Sequence, residues 1–193
     1  YSCAMTISRR NLLKATAVIG AGSLEFLNTE SAQAVVADIQ HGSRAVKKVA
    51  LTFHGAGAPD YADPLLKLFK ATGTKVSVFA VGTWLVNEPS IASRIIDEGH
   101  DLGNHTMNHL QSKTLSAAKL DSEIAGCAKE LTTLIGNHGK FFRPSGTQYS
   151  TALIRKTALK YGYKKCISYD VDSHDYQDPG KAAVIANINK NIK

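Results

Sequence analysis

Cysteine is scarce in this chain, with three in 193 residues, and the first of them is Cys3. That scarcity excludes a disulfide-dense mini-protein. Five prolines and 15 glycines are too few for a collagen-like or low-complexity chain. No stretch is long and apolar enough for a convincing transmembrane helix of about 18–20 residues; the mildly apolar run from Ala15 to Leu27 is broken by small residues and Glu25. No basic block of five to eight residues occurs either, so the net charge of +7, from 23 Lys+Arg against 16 Asp+Glu, is spread along the chain. Such a charge admits nucleic acid, an anionic polymer or an anionic lipid as partner, and its dispersal argues against nucleic acid. What remains, 44% apolar and 20% charged, is the composition of one globular domain able to bury a single core.

The N-terminal 34 residues read as an address. Ser8-Arg9-Arg10-Asn11-Leu12-Leu13-Lys14 resembles the twin-arginine export signal, and Ala32-Gln33-Ala34 supplies the small-x-small pattern of a signal-peptidase site. The sequence therefore predicts a signal peptide over 1–34 and a product in the periplasm, wall or medium, with a basic cytosolic helix as the alternative. The twin-arginine route, as the resemblance implies, exports folded protein and makes that machinery a partner. Cys127 and Cys166 then remain as a pair that either bridges or stays as two buried thiols.

From residue 45 onward, strand and helix signals alternate. Strands are expected at Lys47 to Phe53, Lys75 to Val81, Asp101 to Asn104, Phe141 to Arg143 and Lys165 to Asp170. Helices are expected after Pro64 up to Gly73, from Pro89 to Glu98, from Ser116 to Ile135, from a Ser150 cap to Tyr161, and from Pro179 to Ile192. Alternation of this kind means an α/β fold with a parallel sheet or barrel, one domain over 45–193. The chain stops on a helix where a further strand would ordinarily follow, so the barrel is expected to be incomplete at its C-terminus.

Functional groups in such folds gather where strands end. Four polar clusters fall there: His54 with Gly55-Ala56-Gly57, His105-Thr106-Met107-Asn108-His109, Arg143-Pro144-Ser145-Gly146, and Asp170 to Tyr176. The i, i+4 spacing of His105 and His109 places two imidazoles on one face of a helical turn, suited to one Zn²⁺ at about 2.0–2.1 Å. Two surface histidines are the plainer alternative. The Gly55-x-Gly57 pair lacks the third glycine of a dinucleotide loop and carries Asp60 in its place, which would repel a pyrophosphate.

In order and spacing these clusters resemble NodB-type polysaccharide deacetylases, carbohydrate esterase family 4, from about Lys47 to Tyr176. The block Glu98-Gly99-His100-Asp101-Leu102-Gly103-Asn104-His105-Thr106-Met107-Asn108-His109 is its most specific piece. The resemblance implies a distorted (β/α) barrel of the glycoside hydrolase/deacetylase type. It implies a hydrolase that removes N-acetyl groups from a chitin- or peptidoglycan-like polysaccharide, with a divalent metal, Zn or alternatively Co, Ni or Mn. By the same resemblance His105 and His109 are metal ligands, Arg143 orients the catalytic base, and the Gly146 N–H helps hold the oxyanion. Asp175 would pair with an acid histidine from a later segment. A monomer is expected.

Four departures from the family pattern stand out. Thr52-Phe53-His54-Gly55-Ala56 replaces Thr-Phe-Asp-Asp-Gly, so His54 stands for the base and Gly55 for a metal-binding Asp. Arg143-Pro144-Ser145-Gly146-Thr147 lacks an aromatic, Tyr176 replaces a Trp, and the segment with the acid histidine lies beyond Lys193. His54 is read here as a third metal ligand by preference, as a neutral general base or as a plain strand-end histidine otherwise. Asp60 or Asp63 are further candidates for the third ligand. A non-catalytic glycan-binding member of the same fold is the competing function.

Overall fold

The computed structural model describes residues 38–192. The expected signal peptide over 1–34 lies outside them. Three parallel strands, β1 (Thr52–Gly55), β2 (Ser77–Ala80) and β3 (Asp101–Asn104), form a sheet in the order β1-β2-β3. Thr52 is opposite Ser77, which is opposite Asp101. Beyond β3 the parallel pairing continues only as single bridges, Asn104 to Phe142, Phe142 to Cys166, and Ile167 to Ile39.

Six helices cross between and beyond these strands: α1 (Ala62–Thr72), α2 (Gly82–Asn87), α3 (Pro89–Asp97), α4 (Ala117–Ile135), α5 (Ala152–Lys160) and α6 (Lys181–Asn191). Their ends follow local chemistry. Gly73 and Gly136, both in the left-handed region, close α1 and α4. The Ser116 hydroxyl accepts the Lys119 N–H to open α4. No helix among the described residues is long and apolar enough to cross a membrane.

Several expectations shift. The first strand begins at Thr52 rather than Lys47, because β1 is the sheet edge and 47–51 find no neighbouring strand. Thr151, not Ser150, caps α5, its hydroxyl accepting the Ile154 N–H. Ser150 instead gives its backbone N–H to Asp38. The fourth and fifth strands shrink to one- or two-residue bridges. Helix α2 has no counterpart in the sequence reading, and neither does the contact of Ile39 with Cys166 and Ser168.

Two apolar clusters hold the sheet. One packs α1–α3 on β2 and β3 through Leu66, Phe69, Val78, Leu85 and Ile95. The other packs α4 and α5 on the bridge region through Leu120, Ile124, Phe142, Ile154 and Tyr163. Each such side chain contributes about 1.5–3 kcal/mol on burial. Cys127 and Cys166 are both buried and free, so no disulfide links them. Burial pushes their thiols up to about 12 and about 11.

Candidate active site

The strand ends of β1 and β3 and the bridge at Phe142 bring His54, His105, His109 and Arg143 together. The His105 and His109 ring centroids are 4.9 Å apart, with planes at 63°. His54 stacks on His105 at 4.2 Å and 21°, and its centroid is 6.4 Å from that of His109.

Residues 105–109 do not form the expected helical turn. Thr106 and His109 adopt φ of 68° and 56°, a region non-glycine residues enter only under restraint. The restraints are specific. Asn104 Oδ1 accepts the Thr106 N–H at 2.9 Å, and Asn104 Nδ2 donates to the Ile124 carbonyl and the Tyr163 hydroxyl. The Thr106 hydroxyl donates to Ser145. The first N–H groups of α2, those of Gly82 and Thr83, take the carbonyls of Thr106 and Met107 at 2.9 Å each. Met107 then fills the space left by Gly82, where a Cβ would lie 2.4 Å from its Sδ.

His105 is 1% exposed. Its Nδ1 lies 2.8 Å from the Arg143 carbonyl and must donate to it, which leaves the lone pair on Nε2. That Nε2 is buried with no hydrogen-bond partner. A metal-ligating imidazole has this form, one nitrogen fixed by a carbonyl and the other bare. His105 and His109 thus fit two positions of a Zn²⁺ sphere, but no trio of His, Cys, Asp or Glu among the described residues is grouped to hold a metal ion. His54 stands beside the pair: a near-parallel stacked ring aims its lone pairs alongside those of His105 rather than converging on one point.

Arg143 is buried and donates to the Ile167 and Ser168 carbonyls, to Thr52 Oγ1 at 3.0 Å and to His54 Nε2 at 3.3 Å. Its guanidinium lies 4.1 Å from the Phe79 ring centroid. Burial lowers it to about 10, opposed by Tyr169 and Asp172, so it remains a cation at neutral pH. Because Arg143 only donates, the neutral His54 carries its proton on Nδ1. Burial, then Arg143 and His109, lower His54 to about 4, while Asp172 and Asp175 oppose them. Asp175 opens an exposed 3-10 turn (Asp175–Gln177) and accepts from Ser173. Gly146 sits at φ 63° against Gln111, where no Cβ fits.

Gly55 is enclosed. A Cβ there would meet Trp84 ring carbons at 3.0 and 3.1 Å and the Ala80 Cα at 3.2 Å. Trp84, Asn87 and Asn108 line a cavity of about 320 Å³ that also reaches Gly57, Thr83 and His109. Neither Trp84 nor the buried Glu123 was singled out from the sequence. Glu123 left one signal, an acid within the apolar stripe of Leu120, Ile124 and Cys127.

A consequence follows for acid stability. His105 is held well below the ordinary imidazole value by burial first and His54 second. The unfolded chain takes up protons below about pH 6.5 while the fold resists them, so stability is full above that pH and falls as pH drops toward 4. Each such group costs about 1.4 kcal/mol per pH unit in that window, less for His54, which is partly exposed and screened. In chelator, Tm is expected to fall by about 4–8 °C from pH 7 to 5, and His105→Gln should flatten the slope. A pH-independent wild-type melt over that range would show that neither ring resists protonation.

With this geometry in hand, comparison with known proteins is informative. A family model described as polysaccharide deacetylase matches residues 41–166. The chain is 30% identical over 148 residues to a peptidoglycan-N-acetylglucosamine deacetylase of Bacillus cereus, covering 76% of this chain and 68% of that protein. It is 32% identical over 144 residues to a chitin deacetylase of Pestalotiopsis sp, covering 72% of this chain and 47% of the relative. The chain thus spans about half the length of several curated relatives, and two thirds of the Bacillus cereus protein. A solved carbohydrate esterase family 4 pseudoenzyme from Bacillus anthracis superposes with a TM-score of 0.75 at 22% identity, covering 80% of this chain and 54% of that one. That likeness establishes the fold, the distorted (β/α) barrel anticipated from the sequence.

Proposed function

The chain belongs to the polysaccharide deacetylase family, and from that premise we propose that it is an exported, metal-dependent hydrolase removing N-acetyl groups from a chitin- or peptidoglycan-like polysaccharide. The observation that carries the reading is the bare, buried Nε2 of His105 beside the His109 ring. His105 and His109 would hold the divalent metal, Zn²⁺ by donor type. When bound, that metal supplies carbonyl polarisation and a water acidified toward neutral pH.

The remaining roles fall to the chain's own groups. Arg143 fixes His54 through Nε2. His54 is neutral at neutral pH and takes a proton only at Nε2, as the 3.3 Å Arg143 contact opens. Asp172 and Asp175 favour the imidazolium so formed. The Gly146 N–H would meet the oxyanion, a contact worth about 2.7–4 kcal/mol where such donors have been removed. Asp175 keeps its place as partner for an acid histidine. Export rests on the twin-arginine-like Ser8–Lys14 segment.

One observation favours a second reading, a glycan-binding member without activity: Gly55 is closed by Trp84 and no third protein ligand joins the pair. Acetate release separates the two. Incubated with chitin oligomers and with peptidoglycan, the chain is expected to release acetate with Zn²⁺ or Co²⁺ and to stop in EDTA. No release under any metal, with sugar affinity by calorimetry unchanged in EDTA, would establish the binding reading instead.

A further inference from the structure

The left-handed conformation of His109 has to be imposed from outside the 105–109 loop, since a non-glycine residue there costs about 1–3 kcal/mol. On the Thr106 side the restraints are those of Asn104, Ser145 and the start of α2. On the His109 side they converge on a single carboxylate. Glu123, on α4 and 1% exposed, accepts the Asn108 backbone N–H through one oxygen and the Asn108 side-chain amide through the other, both at 2.8 Å. Lys119 Nζ lies 3.2 Å from the same group. Burial alone would raise this carboxyl, but the Asn108 donors and Lys119 outweigh it and hold it below the usual range.

A carboxylate that grips both the peptide N–H and the side chain of one residue fixes the frame from which the next residue departs. We infer that Glu123 is a positioning residue that, through Asn108, holds the His109 imidazole beside His105. Glu123 itself lies behind the loop and acts only through Asn108. This is the job of a partner behind a ligand, and removing such partners typically weakens metal affinity about 10–100-fold.

The inference rests on the reading of His105 and His109 as a metal pair, so its test has two arms. In the first, Zn²⁺ is titrated into the full chain by calorimetry. Glu123→Gln keeps the size but turns an amide donor toward Asn108, and is expected to weaken Kd about 10–100-fold. Asn108→Ala is expected to weaken it too, and the double variant no further than the weaker single, because both remove one contact. A Glu123→Gln Kd within twofold of wild type overturns the inference. In the second arm, metal-free protein is followed by long-range imidazole NMR. The His109 ring resonances are expected to move in Glu123→Gln while those of His41 and His138 stay. Unmoved His109 resonances overturn the inference even if the wild-type chain binds no zinc, a result that by itself sinks only the metal reading.

Discussion

Arg143→Met is expected to lower stability by about 3 kcal/mol and acetate release by 100-fold or more. The methionine keeps an apolar stem on Phe79, so the loss reports the guanidinium rather than a cavity. Without it the Ile167 and Ser168 carbonyls and Thr52 Oγ1 lose their donor in a buried place. An unsatisfied buried acceptor costs about 1–3 kcal/mol. The sum is tempered because Arg143 is itself a buried cation with no carboxylate in hydrogen-bond contact, and removing it relieves that desolvation. Thermal melting is expected to drop by about 6–12 °C. Arg143→Lys should fall between, since an ammonium carries the charge but not the planar fork that reaches several acceptors at once. The activity loss follows from His54, which would lose the partner that fixes its tautomer. A Met variant that melts within 2 °C of wild type would mean that water replaces the guanidinium without cost.

The second large effect is expected at Gly55. Gly55→Asp restores a carboxylate at the position where the family resemblance places a ligand, yet the side chain would have to enter space already held by Trp84 and the Ala80 backbone. Overpacking costs about 1–3 kcal/mol, and a carboxylate pressed against an indole adds a desolvation term. We expect about 2–4 kcal/mol of destabilisation and no gain in zinc affinity from this change alone. Trp84→Leu opens the space at the cost of a large buried ring. Combined with Gly55→Asp it should be less unstable than the two single effects predict, with a coupling of about 1 kcal/mol or more. Additive losses in urea melts would show that Trp84 moves aside freely. The His-Gly pair is thus tied to a packed indole, and changing position 55 without position 84 answers a different question.

The parts of the fold legible from sequence were those written by local chemistry. Ser116 and Gly136 bracket α4, Gly73 stops α1, and Asp101–Asn104 is a strand where its residues predicted one. Helix α2 escaped because Gly-Thr-Trp-Leu-Val-Asn is six residues long and offers no sustained period; its N-terminus is set by carbonyls 25 positions downstream. The strands around Phe142 and Cys166 shrank for the opposite reason, since apolar runs say nothing about how many ladder bonds a neighbour will supply.

The candidate site divides the same way. Histidine and arginine at strand ends announced themselves, and the structure gathers His54, His105, His109 and Arg143. The backbone between the imidazoles could not be read locally. Its twist is dictated by Asn104, Ser145, Gly82 and Glu123, from four separate stretches of chain. Trp84 looked like any core aromatic until its contact with Gly55 was known.

The thinning of the sheet beyond β3 has a consequence for how occupancy and cohesion are linked. His54 and His105 belong to the fully laddered half, whereas Arg143 belongs to the half joined by lone bridges. Transient parting of that seam would withdraw the cation while leaving the imidazoles in place. Any guest spanning both sides would act as a rivet, and its affinity would return to the scaffold as resistance to breathing.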